Sequence, residues 1–322
     1  MANPLVAVTD HVFPNLEPTK QVLSELHAEL KLAQATTPEA ILDVAREADG
    51  VIVCYAKMPA SVIEQLKNCK VMARTGIGVD NVDIDAASRK GIVVTNVPEY
   101  CEDEVSDHAM AMLLTLIRKI PFANKRAHAG KWETGAVNPI HRLRGRTLGL
   151  VGLGKIPKLV AAKAQTFGLH VQTYDPYIPA QAAAKLGVKS VSLPELLSTS
   201  DYVSIHAPLT PETKNMFNAD AFRQMKRGAL LVNTARGPLV DVEALVDALA
   251  AGQLAGAALD VLPTEPPPVD SRLLGRDDVI LTPHIGFYSE ESMIDLQTKA
   301  AQQVALVLSG KEPRYPVNKI KG

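Results

Sequence analysis

Cysteine is scarce in this chain, with three residues among 322. Cys54, Cys69 and Cys101 are an odd number without CxxC spacing, which excludes a disulfide framework and a zinc knuckle. Buried, reduced thiols and no metal are the expectation. Long apolar runs are also missing: no stretch approaches the roughly 20 uninterrupted apolar residues that span a bilayer, so no membrane role is expected. Net charge is nearly absent, at -1. Without clustered Lys and Arg there is no electrostatic footprint for phosphate contacts, and nucleic acid is excluded as the expected partner. Met1 to Asp10 contain no Lys or Arg and pass straight into an apolar run. The basic start of a secretory or organellar signal is therefore lacking, and a cytoplasmic location is expected. Internal repeats and low-complexity tracts are absent as well.

What remains is an ordinary globular composition, 47% apolar and 21% charged, on a chain too long for one comfortable core, so two domains are expected. Leu5 to Thr9, Lys31 to Ala35, Gly50 to Tyr55, Val71 to Arg74 and Ile92 to Thr95 read as fully buried strands separated by helix-length connections. That alternation is the mark of a parallel sheet covered on both faces. From Cys101 to Ile120 the spacing of Val105, Ala109, Met112, Leu113, Leu116, Ile117 and Ile120 predicts a long amphipathic helix linking the domains. Acidic residues favour its start, Arg118 and Lys119 favour its end, and Pro121 is expected to stop it. After a polar stretch, His128 to Arg146, a second series of strands follows at Leu148 to Val151, His170 to Tyr174, Tyr202 to Ile205, Leu230 to Asn233, Ala257 to Leu259 and Val279 to Leu281. These suit a six-stranded nucleotide-binding sheet. Ser289 to Leu308 is helical by periodicity and is expected to return to the first domain.

The strand ending at Val151 runs into Gly152-Leu153-Gly154-Lys155-Ile156-Pro157 and then a helix. Gly152 allows the tight turn, and Gly154 lets the backbone approach a pyrophosphate at the helix N-terminus. Pro157 stands where the dinucleotide fingerprint has a third glycine; proline is tolerated in a first helical turn, but its ring is expected to weaken close helix-to-sheet packing. The next strand ends at Asp175, about 20 residues on, where a carboxylate accepts from the adenosine ribose hydroxyls and repels a 2′-phosphate. NAD is thereby favoured over NADP. A turn-forming or capping Asp is the competing explanation.

Three further stretches each follow a strand of the second domain: Asn233 to Gly237, Leu259 to Pro266, and Thr282 to Phe287. They offer what chemistry on a keto acid needs. Arg236 brings a planar cation for a carboxylate. His284 is a proton carrier near neutral pH. Glu265 would pair with the imidazolium and favour its charged form. In the first domain, Arg74 to Asn81 carries glycines that let amides face an anion, with Arg74 and Lys57 adding charge; a structural ion pair for Arg74 and a solvated Lys57 are the alternatives.

Arg74-Thr75-Gly76-Ile77-Gly78-Val79-Asp80-Asn81, the glycine loop with Asp175, His206-Ala207-Pro208-Leu209-Thr210, Asn233 to Gly237, Asp260 to Glu265 and Thr282 to His284 together form an ordered set. In it the chain resembles the D-isomer-specific 2-hydroxyacid dehydrogenases, which include phosphoglycerate, glyoxylate and hydroxypyruvate dehydrogenases and the C-terminal-binding-protein corepressors. The resemblance implies an α/β fold of two doubly wound parallel-sheet domains. One is a flavodoxin-like substrate domain of residues 1–100 plus 288–322, the other a Rossmann NAD-binding domain of residues 101–287. It implies Arg236, Glu265 and His284 as the catalytic trio. Gly152, Gly154, Lys155, Ile156, Asp175, His206, Ala207, Pro208, Thr213, Thr234, Ala235, Arg236, Asp260, His284 and Gly286 would contact NAD, with Asp260 near the nicotinamide carboxamide. Lys57, Arg74, Gly76, Ile77, Gly78, Arg236 and Phe287 would contact a small 2-hydroxy or 2-keto acid, and a homodimer is implied. Phe287 stands where many relatives have a small residue, so it serves either as an aromatic wall or as ordinary packing. The alternative activity is an NAD(H)-sensing, corepressor-like binding module with weak dehydrogenase activity. Formate dehydrogenase is disfavoured because that relative pairs its histidine with glutamine, whereas this chain has Glu265.

Overall fold

The computed structural model describes residues 3–35 and 37–320. The chain divides into two units, Met1–Tyr100 with Ser289–Gly322, and Cys101–Tyr288. The second division falls one residue later than expected, after Tyr288. Residues 1, 2, 36, 321 and 322 of the expected domain ranges lie outside the described residues.

In the first unit β1 (Leu5–Val8), β2 (Glu29–Leu32), β3 (Gly50–Val53), β4 (Val71–Arg74) and β5 (Val93–Thr95) pair in parallel, in the order β2-β1-β3-β4-β5. This is the flavodoxin-like order. The central β3, Gly-Val-Ile-Val, is buried throughout, as a strand covered on both faces must be. The second strand departs from expectation. It begins at Glu29 and ends at Leu32, and only Leu30 escapes full exposure. As the sheet edge it has one neighbour, and Glu29 and Lys31 keep that edge in water and discourage further pairing. The closing helix, Glu290–Leu308, belongs to this unit and starts with a capping box between Ser289 and Ser292. It packs close to β3: a Cβ placed on Gly50 would stand 2.9 Å from Val304 Cγ1.

The second unit holds β6 (Thr147–Val151), β7 (His170–Tyr174), β8 (Lys189–Ser190), β9 (Tyr202–Ile205), β10 (Ala229–Asn233), β11 (Leu254–Leu259) and β12 (Val279–Leu281). All pairs are parallel, in the order β12-β11-β10-β9-β6-β7-β8. The sheet thus has seven strands where six were expected. The addition, β8, is a two-residue polar edge, too short to leave a periodic trace. Strand order reverses between β6 and β9, so the loops after these strands border the crevice where open α/β sheets bind ligands. Buried side chains cover both faces, with Phe217, Phe222 and Leu245 in one cluster and Leu113, Leu148 and Val160 in the other.

The helix expected over Cys101 to Ile120 spans Glu102–Arg118 and ends at Lys119, whose φ of 51° is left-handed. A second helix, Ile120–His128, starts at once with Pro121 in its first turn. Pro121 therefore begins a helix rather than stopping one, because its fixed φ suits the first turn and its missing N–H has no partner there to lose. No disulfide joins the cysteines: Cys54 and Cys101 are buried and Cys69 is half-buried. Among the described residues no helix is long and apolar enough to cross a membrane.

Gly149, in the middle of β6, sets how closely the helix Leu193–Thr199 approaches the sheet. A Cβ there would lie 2.3 Å from Ser200 Oγ and 2.8 Å from Leu196 Cγ. Both neighbours are fully buried and have nowhere to go. Gly149→Ala is expected to cost the second unit about 1–3 kcal/mol, the range for overpacking. Urea denaturation should show an earlier transition; an unchanged midpoint would mean the helix retreats freely.

Candidate active site

The loop after β6 is built around two glycines with different reasons to be glycine. Gly152 has a φ of 98°, a region costly for residues with a Cβ. A Cβ there would also stand 3.1 Å from His206 O, so the loops after β6 and β9 meet backbone to backbone. Around Gly154, by contrast, a Cβ would meet nothing within 4 Å. No protein neighbour demands glycine at that point. The helix Lys155–Thr166 starts directly on Gly154, so its first-turn amides open toward the loop, an arrangement suited to a pyrophosphate. Lys155 is exposed and Ile156 half-buried. Pro157 is buried at the third helical position and the helix runs on unbroken, because an N–H that early has no intrahelical acceptor.

Asp175 accepts from Leu153 N at 2.8 Å and from Tyr177 N at 2.9 Å. The carboxylate therefore braces the glycine loop and forms a turn, and it keeps lone pairs for further donors such as ribose hydroxyls. After β9, the His206 ring lies 2.9 Å from Ser204 Oγ. Desolvation pulls the His206 pKa down to about 4, so the ring is neutral at physiological pH. Ala207 is buried and Pro208 exposed. Thr213 closes the same loop by donating to Pro208 O at 2.7 Å and accepting from Thr210 N at 2.8 Å. After β10, Asn233 accepts from Ala235 N at 3.0 Å and donates to Arg236 O at 2.9 Å. Thr234 Oγ1 is buried with no hydrogen-bond partner among the described residues. An orphaned hydroxyl and an open approach over Gly154, both at the carboxyl edge of this sheet, fit a bound dinucleotide.

The loops after β10, β11 and β12 interlock. Arg236 donates from Nη1 to Ala235 O at 2.7 Å. Its neighbour Gly237 touches the next loop so closely that a Cβ would fall 1.9 Å from Leu262 C. Three residues on, Glu265 takes Leu262 N on Oε1 at 2.8 Å and His284 Nδ1 on Oε2 at 2.8 Å. Burial is the largest influence on Glu265 and opposes its ionisation, but the bonds from His284 and Leu262 and the His284 charge outweigh it and hold the carboxyl below its ordinary value. Because an ionised carboxylate only accepts, Nδ1 carries the proton between them and Nε2 is the ring nitrogen turned away. The Phe287 ring stands edge-on to the imidazole, 6.2 Å between centroids at 79°.

His284 itself has a φ of 56°, a left-handed conformation that costs a non-glycine residue about 1–2 kcal/mol. Its surroundings must enforce it. Asp260, 3% exposed, does so. Its Oδ1 accepts from Thr282 Oγ1 at 2.5 Å and from Ile285 N at 2.9 Å, its Oδ2 accepts from Gly286 N at 2.8 Å, and its main-chain oxygen accepts from His284 N at 2.9 Å. Burial again opposes ionisation most, and the bonds from His108, Thr282, Gly286 and Ile285 outweigh it, so Asp260 too lies below its ordinary value. Gly286 is glycine for a close approach, since a Cβ would stand 2.9 Å from Asp260 Oδ2.

In the first unit, Asp10 gathers Cys54 N at 3.0 Å, Tyr55 N at 2.5 Å and Ala56 N at 3.0 Å on its two carboxylate oxygens. Asn81 ties the same loop by donating to Cys54 O and Ala56 O. These amides are committed, so the loop presents side chains, among them exposed Lys57. The Arg74 guanidinium lies over Gly76, where a Cβ would fall 1.3 Å from Nη1. Arg74 Nε is buried with no hydrogen-bond partner among the described residues. The guanidinium is thus held over the loop at Gly76.

Four residues that shape these sites were not picked out as site residues in the sequence: His108, Thr282, Asn233 and Asp10. Thr282 and Asn233 lie within stretches already singled out; their signal was a short polar residue at a strand end. His108 carried no signal of its own in the sequence: it is a half-buried polar residue on a helix that buries Ser106 as well as apolar side chains. Asp10 follows the first strand directly, as Asp175 follows its own.

The depressed carboxyl of Asp260 sets a pH dependence. A folded-state value below the unfolded one contributes stability that is complete above the unfolded value and disappears as pH falls through the folded one. Asp260→Asn should therefore lower the melting temperature most near neutrality, by the equivalent of about 1–3 kcal/mol for a disrupted buried group. The gap to the wild type should narrow as pH drops below about 4. A gap that stays constant across that range would show that ionisation of Asp260 adds nothing.

Known proteins share this architecture. The family model described as D-isomer specific 2-hydroxyacid dehydrogenase, NAD binding domain, matches residues 110–286. The chain is 38% identical over 315 residues to D-3-phosphoglycerate dehydrogenase of Methanocaldococcus jannaschii, covering 97% of this chain and 59% of that one. It therefore spans less than two thirds of that relative's length. The apo structure of D-lactate dehydrogenase from Escherichia coli superposes with a TM-score of 0.83 at 31% identity, covering 98% of this chain and 100% of the other. D-lactate dehydrogenase from Aquifex aeolicus, complexed with NAD and lactic acid, gives 0.86 at 29% identity, with 95% and 96% covered. The chain belongs to the D-isomer specific 2-hydroxyacid dehydrogenase family, and its second unit is that family's NAD-binding domain.

Proposed function

We propose that the chain is an NAD-dependent oxidoreductase that moves a hydride between nicotinamide and the 2-carbon of a small D-2-hydroxy acid or its 2-keto partner. One observation carries this reading: His284 Nδ1 and Glu265 Oε2 stand 2.8 Å apart on strand-end loops that interlock with the loop of Arg236. NAD(H), when bound, supplies or receives the hydride. The remaining work falls to side chains. Arg236 grips the substrate carboxylate with its planar fork, or steadies carboxylate and keto oxygen together. His284, having given its Nδ1 proton to the hydrogen bond with Glu265, presents the opposite nitrogen to the carbonyl oxygen as proton donor, and takes the proton back in the oxidative direction. Glu265 stays anionic, orients the ring and balances the imidazolium charge. Phe287 walls one edge of the imidazole. Asp175 accepts from the ribose hydroxyls and repels a 2′-phosphate, which favours NAD over NADP.

For the substrate, Arg74 with the amides of Ile77 and Gly78 is proposed to meet an anionic group, and Lys57 the part beyond the reacting carbon. The relatives named D-3-phosphoglycerate dehydrogenase and D-lactate dehydrogenase bracket the choice between phosphorylated and plain acids. NADH oxidation with pyruvate, glyoxylate, hydroxypyruvate, phosphohydroxypyruvate and branched 2-keto acids should reveal turnover on at least one. His284→Ala should then lower kcat by about 10²–10⁴, the share of a general acid, with NADH binding nearly intact. If NADH binds and no acid is reduced, the dehydrogenase reading falls and a nucleotide-sensing binding module takes its place.

We further propose a homodimer. From Arg118 to Thr147 no residue is buried, and Ile120 and Trp132 are 52% and 83% exposed. The same segment borders a cavity of about 430 Å³ whose lining includes Leu116, Ile117, Phe122 and Leu230. Exposed Ile120 and Trp132 on an otherwise polar arm, beside a cavity with an apolar floor, are covered when a two-fold axis lays each arm over the partner's cavity. Light scattering should return twice the 34.6 kDa chain mass, and Trp132→Glu should shift the population toward the single chain. A wild-type protein that runs as one chain at micromolar concentration rules the dimer out.

A further inference from the structure

The turn that carries His284 is clamped from one side by a residue outside every motif of the chain. His108, on the helix Glu102–Arg118, brings Nε2 to 3.0 Å from Thr282 Oγ1 and 3.3 Å from Asp260 Oδ1. The direction of these bonds follows from the neighbours. Thr282 spends its one hydroxyl proton on Asp260 Oδ1, so its oxygen has only lone pairs left to offer, and Asp260 as a carboxylate only accepts. His108 Nε2 must therefore carry a proton and donate it. The ring also packs on the turn itself: a Cβ on Gly286 would stand 3.3 Å from His108 Cδ2.

We infer that His108 is a positioning residue for the acid–base group. It closes a chain from His108 through Thr282 to Asp260, and that chain fixes the Thr282 to Gly286 turn and aims the His284 imidazole. Asp260 holds the amides of Ile285 and Gly286 on separate oxygens, but both amides belong to the turn that has to be fixed. Thr282 and His108 fix the carboxylate from β12 and from the helix. The left-handed φ of 56° at His284 makes the clamp necessary, since a strained turn relaxes once its enclosing bonds are weakened. A displacement of about 1 Å in a proton donor is enough to cost a large factor in rate. His108 touches neither Glu265 nor the reacting atoms in this scheme; it acts through Thr282 and Asp260.

The inference rests on the dehydrogenase reading for its kinetic consequence but not for its structural one, so two readouts separate them. In His108→Leu, hydrogen exchange of the peptide covering residues 282–287 should quicken about tenfold at the Ile285 and Gly286 amides, whether or not the protein turns over a keto acid. With the best acid of the panel, kcat should fall about tenfold or more while the NADH dissociation constant stays within about twofold. His108→Gln, whose amide nitrogen can donate to Thr282, should recover most of the rate. Thr282→Val should match the loss in His108→Leu, and the double variant should be no worse than either single one, because both cut the same chain. Unchanged exchange in a folded His108→Leu protein overturns the clamp. So does a Gln variant as slow as Leu, or additive losses in the double variant. A wild type that reduces no acid at all overturns the dehydrogenase reading, while the exchange result still decides whether His108 holds the turn.

Discussion

The buried carboxylate of Asp260 is the constraint on which the carboxyl edge of the second sheet depends. A charged group at 3% exposure is tolerable only when its lone pairs are occupied. Here the occupants are a hydroxyl and two amides drawn from one short turn, with His108 closing the set. Satisfying the charge and shaping the turn are therefore one event. The same bonds that make the carboxylate acceptable force His284 into a left-handed conformation, and that conformation presents its imidazole to Glu265. Loss of the carboxylate would strand two amides and release the turn together, so stability and the placement of His284 are coupled at this residue.

Other acids in the loops that follow strands repeat the device. Asp175 holds the amides of Leu153 and Tyr177, Glu265 holds that of Leu262, and in the first unit Asp10 holds three in succession. A parallel sheet ends in loops whose amides have lost the next strand as a partner, and a short carboxylate at the strand terminus can collect them. Each such acid fixes a loop in one conformation before any ligand arrives. Side chains that must meet a ligand then start from a preset geometry, with less entropy to lose on binding. Asp175 shows that the turn-forming and ribose-binding explanations of a strand-end acid are compatible, because two amides do not exhaust a carboxylate with room for about four donors.

Much of this was legible in the sequence because it follows from local chemistry. Buried apolar runs identified nine of the twelve strands among the described residues within two residues at either end, and β11 from its fourth residue on, since a strand covered on both faces leaves an unbroken apolar trace. The trace failed at the edges. β2 is polar and mostly exposed, β8 is two residues long, and neither has two neighbours to impose a pattern. The break at Lys119 was hidden for another reason: the apolar spacing continues across it, and Pro121 signals the end of one helix and the start of another equally well. For the site, placement after successive strands and residue type singled out Glu265 and His284, which the fold brings to 2.8 Å of each other. What pins them was illegible. His108 lies more than 150 residues from Asp260 in the chain and carries no motif, and only the packing of its helix on the sheet reveals the contact.

The glycines separate what the protein needs for itself from what it holds ready for a ligand. At Gly152, Gly237 and Gly286 a Cβ would collide with His206, Leu262 and Asp260, so the absence of a side chain is explained by protein packing alone. Gly152 brings the loops after β6 and β9 together, and Gly237 and Gly286 knit those after β10, β11 and β12. Gly154 stands apart, with no neighbour that a Cβ would disturb. Its backbone nonetheless opens a helix at the topological switch point, on the same carboxyl edge where the Thr234 hydroxyl is buried with no partner among the described residues. Selection for folding does not account for a glycine there, because any residue could stand at that point without a clash and most would stiffen the chain. The reason has to come from outside the chain, from a group that approaches closer than a methyl would allow and offers negative charge to the helix amides. A dinucleotide pyrophosphate has both properties, and so Gly154, a glycine at the switch point that no packing contact requires, is where the cofactor of an NAD-binding domain would approach.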